Sequence, residues 1–475
     1  MTRKTASVRF RATAGVLLGL AVILVIVLGA RSSPPLPPLP GAMSAASPPP
    51  GDPLIYRPDR EAEFVARAAA GAAHPLYVKS PGGIVATAAR VARFRGLINR
   101  VTAGTTIAPR TLEGLVLLES AGDPQAIAGG DPAGAAGLTQ IVASTGRSLL
   151  AMRINLAASR RLTAQIDAAA SNGRRDRVAQ LEHQRARIDE RFDPQKALTA
   201  AIRYLELAQR AFGRADLAVE SYHMGMGNLR RVLASYDGGT PVPYAQLYFD
   251  SAPDRHAAAY ALLSSFGDDS WTYLWRVTAA EQIMQRYRTD RSGLGRTAEL
   301  QIAAGSAAQV LHPPNQTPTF STPAALDRAY ADHQIVPLPA NPSMLGLAYA
   351  RGLGATAHRF GFPAALYRGL RPEARAVLIW LASRVKALSG TAPLTLTSAV
   401  ADDRLEQFFG YSDPPAAAGW SFTIRRHYVD GRQAAAFQAV LDRLQALNLI
   451  AWQRFPSEIE ITVAGDAASI LAHGV

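Results

Sequence analysis

Glu119 closes the apolar run Leu115-Val116-Leu117-Leu118 and precedes a Ser-Ala-Gly-Asp-Pro turn. A carboxyl group at the end of a buried helix is partly desolvated, which raises its pKa and fits it to donate a proton. Glycoside cleavage needs such an acid at the leaving oxygen. Taken alone, the same residue also fits a surface glutamate at a helix C-terminus, where the dipole disfavours it. Three downstream segments carry further chemistry. Gly134-Ala135-Ala136-Gly137-Leu138-Thr139-Gln140-Ile141 combines small residues with a terminal amide. Asp193-Pro194 opens a helix carrying Arg203-Tyr204-Leu205. Ser221-Tyr222-His223-Met224-Gly225-Met226-Gly227 interrupts a helix with two glycines, a costly choice unless something must pass close by.

In this order the segments resemble the soluble lytic transglycosylase family, whose catalytic domain is lysozyme-like. The family pattern is Glu-Ser, then Gly-Ala-x-Gly-Leu-Met-Gln, then Ala-Tyr-Asn-Ala-Gly, with a later Tyr-x-x-x-Val matched by Tyr273 to Val277. The resemblance covers about Ile84 to Arg288. It implies that Glu119 is the lone acid/base. Glu119 would protonate the oxygen between N-acetylmuramic acid and N-acetylglucosamine, then deprotonate the muramoyl 6-hydroxyl to give a 1,6-anhydro product, with assistance from the substrate acetamido group. No second carboxylate and no cofactor are required. The resemblance places Ser120 and Gln140 against the sugar, makes Tyr222 the tyrosine that hydrogen-bonds the glutamate, and sets Tyr273 along the cleft. Thr139 stands for the usual Met, and His223-Met224 for the usual Asn-Ala. His223 could tune pH dependence, but a satisfied, partly buried histidine is the favoured reading. A hydrolytic muramidase on the same fold and a non-catalytic peptidoglycan-binding scaffold are the alternatives.

These residues need helices to position them. Leu112, Leu115, Val116 and Glu119 share one face of a helix opened by Pro109. Met152 to Arg191 reads as a charged helical hairpin, turning at Ser171-Asn172-Gly173, with a solvated decoration favoured over a cleft cap or partner site. Further helices are predicted over Pro194–Phe212, Asp216–Tyr236 and Asp254–Arg288, with β signals nearly absent to that point.

After Glu373 the pattern changes. A helix over Arg375–Leu388, strand-like 394–398, 420–424 and 459–463, and a helix over Gln433–Leu447 predict a smaller α+β domain. Leu394 to Val463 resembles zinc-dependent D-Ala-D-Ala carboxypeptidase-like domains stripped of their ligands. Thr397-Ser398 survives, but Ala416 stands for the first His, Thr423 for the Asp, Glu460 for the last His and Phe455 for the acidic base. The resemblance with these losses implies no metal, no peptidase activity, and a role in binding or positioning peptidoglycan peptides.

Bulk properties bound the rest. The 475-residue chain carries a formal net charge of +13 and no cysteine, which excludes disulfides, thiolate metal sites and a cysteine nucleophile. Arg3, Lys4, Arg9 and Arg11 precede an unbroken apolar run from Ala14 to Ala30. By length and flanking charge this run predicts an uncleaved membrane anchor with the remaining chain outside the cytoplasm, in preference to a cleaved signal. The predicted organisation is a basic cytoplasmic segment 1–13, an anchor 14–31, a Pro-rich spacer 32–80, a mainly α lysozyme-like domain 81–295 with the hairpin 152–191 inserted, a linker 296–342, and an α+β domain 343–475. The expected location is the cell envelope. Peptidoglycan glycan strands are the expected partner, with other cell-wall enzymes as candidates; nucleic acid is not expected on the exported side.

Overall fold

The computed structural model describes residues 52–472 apart from 304 and 305, so the anchor expected at 14–31 lies outside the described residues. Among those described, no helix is long and apolar enough to cross a membrane. Helices dominate, and the larger sheet is confined to the C-terminal part.

The chain divides into two compact units, each assembled from separated stretches. The described part of the first unit is 75–229 with 272–295. It contains α1 (Ile84–Ala92), α2 (Arg95–Thr102), α3 (Pro109–Ser120), β1 (Ala135–Ala136), β2 (Ile141–Val142), α4 (Ala143–Ser148), α5 (Leu156–Ser171), α6 (Arg175–Ile188), α7 (Pro194–Phe212), α8 (Ala215–Met224) and α9 (Tyr273–Thr289). Helix α3 starts with Pro109 at its first turn and is buried on nearly every side, from Leu112 to Leu117. It packs tightly against α9: a Cβ at Gly114 would lie 3.0 Å from the Val277 carbonyl oxygen. The hairpin is α5 and α6, with Leu162, Ile166, Ala169, Val178 and Leu181 between the two helices. Asn155 caps α5 by accepting from the Ala158 amide, and Asp193 caps α7 by accepting from the Lys196 amide.

The second unit, 52–74 with 230–271 and 296–472, holds a five-stranded sheet. Its strands are β3 (Leu347–Tyr349), β4 (Leu394–Ser398), β5 (Ser421–Arg425), β6 (Ile450–Arg454) and β7 (Glu458–Val463), in the order β3-β4-β5-β7-β6, parallel only between β3 and β4. Helices α10 (Pro372–Ser389) and α11 (Gly431–Ala446) pack on each other, and both touch the sheet.

Several expectations need correction. The spacer expected at 32–80 contains the helices Glu61–Ala72 and His74–Val78. Phe64 is fully buried against Phe249, because Phe64, Ala68 and Ala69 form an apolar stripe despite the prolines upstream. The linker expected at 296–342 carries helical segments, and Phe320, Leu326, Ala329 and Ile335 join one core cluster with Tyr367 and Val400. The stretch 81–295 is not one body, since 230–271 belongs to the second unit. The long helix expected over 254–288 breaks into Ala257–Ser265, Asp268–Trp271 and α9, with Gly267 at φ 78° in the first break.

Candidate active site

Helix α3 ends at Ser120, and Ala121 takes a left-handed conformation (φ 53°) that returns its amide to the Leu117 carbonyl. Glu119 therefore sits in the last turn, half-buried. Its Oε1 accepts a hydrogen bond of 2.5 Å from the Tyr273 hydroxyl at the start of α9. Burial pushes the carboxyl from its ordinary 4.5 up to about 7, against the opposing effect of the Tyr273 hydrogen bond. A group titrating there can give a proton and take one back near neutral pH. Burial, with the Glu119 carboxylate next, holds the Tyr273 phenol well above its ordinary value, so it remains a donor.

Aromatic rings hold Tyr273 in place. Tyr222 stacks on it at 6.3 Å and 10°, and His223 at 5.3 Å and 22°. Tyr204 meets Tyr222 edge-on at 5.1 Å and donates its hydroxyl to the Ser221 carbonyl at 2.6 Å. Gly225 ends α8 at φ 85°, with its amide donating to the Ser221 carbonyl at 2.7 Å. A Cβ there would meet nothing within 4 Å, so the glycine is needed for its dihedral and not for a close approach. This turn is the interruption expected from the two glycines, and it divides 216–236 into α8 and Met226–Asp237.

The geometry reassigns several expected roles. The Tyr222 hydroxyl donates to the Thr139 carbonyl at 2.8 Å, so Tyr222 ties α8 to the glutamine loop, and Tyr273 is the residue bonded to Glu119. Ser120, expected at the sugar, is buried and donates to the Leu138 carbonyl at 2.8 Å, joining α3 to the same loop. Gln140 spends its amide on the Gly137 and Ala126 carbonyls at 2.8 and 3.2 Å, from a left-handed backbone with φ 48°. His223 is exposed rather than partly buried, lying in the last turn of α8 with its ring stacked on Tyr273.

Two supports escaped the sequence reading. Glu220, fully buried on α8, accepts the Leu274 amide of the first turn of α9 at 2.9 Å. It supplies from another helix the N-terminal cap that Thr272 does not. Arg191, also fully buried, pairs with Asp189 and donates to the Pro132, Gly134 and Ile141 carbonyls at 2.7, 2.9 and 3.2 Å. A Cβ at Gly137 would collide with the Arg191 carbonyl. The glycines of the loop thus fit against the base of the hairpin. An unusual buried acid inside an otherwise apolar stretch was the signal available for Glu220; Arg191 had none beyond its hairpin position.

Residues 96–240 match the transglycosylase SLT domain family. Members of that family are lytic transglycosylases, so the match supports an enzyme acting on the glycan strands of peptidoglycan. The matched segment includes Glu119, Gln140 and Tyr222 and stops short of Tyr273. No curated protein and no solved structure matches the chain. The comparisons lend no support to a carboxypeptidase-like kinship for the C-terminal part. There Ala416 is buried and Thr423 lies opposite Glu460 across β5 and β7. Among the described residues no group of three or more His, Cys, Asp or Glu is arranged to hold a metal ion.

Proposed function

We propose that the chain is a lytic transglycosylase that cuts the β-1,4 bond between N-acetylmuramic acid and N-acetylglucosamine, with Glu119 as its single acid/base. The observation that carries this reading is the Glu119 carboxyl, raised to about 7 by burial and held by Tyr273 in a segment matching the SLT domain. Protonated Glu119 gives its proton to the glycosidic oxygen as the C1–O4 bond breaks, releasing the 4-hydroxyl of the N-acetylglucosamine unit. The muramoyl acetamido oxygen bonds to C1 from the opposite face. The 6-hydroxyl then attacks C1, the acetamido oxygen leaves, and the hydroxyl proton passes to the Glu119 carboxylate. The acid is restored and no water is consumed. Neither step uses a second carboxylate, which sets the reading apart from two-carboxylate glycosidases. We also propose that the 14–31 segment tethers the enzyme to the membrane and that it works in the cell envelope.

Mass spectrometry of digested sacculi tests the reading. Anhydromuramoyl ends, lighter by one water than reducing ends, are expected, and Glu119→Gln should abolish them. Reducing ends would instead assign a hydrolytic muramidase. Clearance of sacculi by the Gln variant at the wild-type rate would remove Glu119 from the chemistry.

A further inference from the structure

The first unit has a concave feature where the hairpin leaves the body. The end of α4, the segment from Arg153 to Ala157 and the end of α6 enclose an open groove of about 630 Å3. Three arginines line it, Arg147, Arg153 and Arg187, and all three are exposed. Arg153 is paired with Glu190 at 2.7 Å, and that carboxylate is shared with Lys196 at 3.0 Å. Arg187 lies 3.1 Å from His183 Nε2, and Arg147 pairs with no carboxylate among the described residues. The three guanidinium groups of the groove therefore outnumber the one carboxylate, Glu190, that pairs with any of them.

The backbone adds to this field. Helix α5, 16 residues long, begins at the groove. Asn155 satisfies the Ala158 amide, which leaves the Leu156 and Ala157 N–H groups at the helix start without an intrahelical acceptor. The positive end of the helix dipole thus faces the same space as the arginines. Guanidinium groups bind carboxylates through paired N–H donors, a geometry that lysine lacks. Leu156, Ala157 and Ile188, each at least partly exposed, also line the groove, giving small aliphatic groups a place to rest. An open groove with an aliphatic lining and basic walls suits an extended anionic chain better than a lone ion.

We propose that this groove binds the carboxylates of the peptide stems carried by the glycan strand, and so holds the strand while Glu119 acts on it. This rests on the peptidoglycan reading above. Strand β2 and helix α4 run directly from Gln140 to Arg147, so the groove belongs to the same unit as the acid. The hairpin, rather than decorating the surface, completes a second contact with the substrate.

The test is co-sedimentation of the full-length chain carrying Glu119→Gln with intact sacculi and with strands whose peptides have been removed by an amidase. Arg147→Glu with Arg187→Glu should weaken binding to intact sacculi about tenfold, an effect that shrinks as salt rises. Arg174→Glu with Arg175→Glu, the same charge change at the hairpin tip, should not. An unchanged thermal midpoint in the groove variant excludes misfolding as the cause. Equal binding by groove variant and parent, or equal loss in the tip variant, would overturn the proposal. So would parent protein binding stripped strands as well as intact ones, or binding phosphodiester polymers or anionic vesicles more tightly than sacculi. Release of glycan fragments by the wild-type chain is measured separately, so failure of the underlying reading is distinguishable from failure of the groove.

Discussion

Replacing Glu119 with Gln should stabilise the protein at alkaline pH while destroying its activity. The carboxyl moves from 4.5 to about 7 on folding because burial disfavours its charged form. Between those two values the native state holds a proton that the unfolded chain has released. Stability therefore falls as pH rises through that window and stays lowered above it. A shift of about 2.5 units corresponds to about 3 kcal/mol at 1.36 kcal/mol per unit. Glu119 keeps part of its surface in solvent, so about half of that, ~1.5 kcal/mol, is the expected cost of the charged form. Glutamine has the same shape, stays neutral at every pH and still accepts the Tyr273 hydroxyl, so it removes the cost without opening a cavity. Denaturant unfolding at pH 4 and pH 8.5 is the assay, followed by a probe in the first unit. At pH 4 both states of the wild type are mainly protonated and the two proteins should have similar midpoints. At pH 8.5 the variant should be more stable by about 1.5 kcal/mol. A variant less stable than wild type at pH 8.5, or a gap of the same size at both pH values, would refute the argument.

Three further outcomes follow from the same contacts. Tyr273→Phe removes the donor that favours ionised Glu119, so the alkaline limb of the pH–rate profile should move upward by about one unit. Tyr222→Phe should leave that limb where it is, since its hydroxyl serves the Thr139 carbonyl, and should cost about 1 kcal/mol in thermal or denaturant unfolding. Glu220→Ala strands the Leu274 amide and loosens Tyr273, so kcat should fall about tenfold or more with little change in KM; Glu220→Gln, which keeps an acceptor, should recover most of the rate.

The sequence alone determined features that depend on local pattern. The apolar run ending in Glu119, the hairpin turning at residues 171–173, and the break at Gly225 are visible because helical periodicity and a required positive φ leave marks on neighbouring residues. Strands β4, β5 and β7 were legible for the same reason, as short alternating β-branched runs. Composition misled where packing overrode it: the proline-rich approach to residue 61 and the 296–342 stretch both feed helices into a core, because a few spaced apolar residues suffice once a partner surface exists. The partners of the acid were beyond local pattern altogether. Tyr273 lies 154 positions from Glu119, and Glu220 acts on Leu274 54 positions away. No periodicity records which of two tyrosines meets a carboxylate; that is set by how α3, α8 and α9 pack. The sequence thus singled out the Glu119 carboxyl as a candidate, and the tertiary structure decided its pKa and its hydrogen-bond donor, since both come from desolvation and contacts that exist only when distant helices close around it.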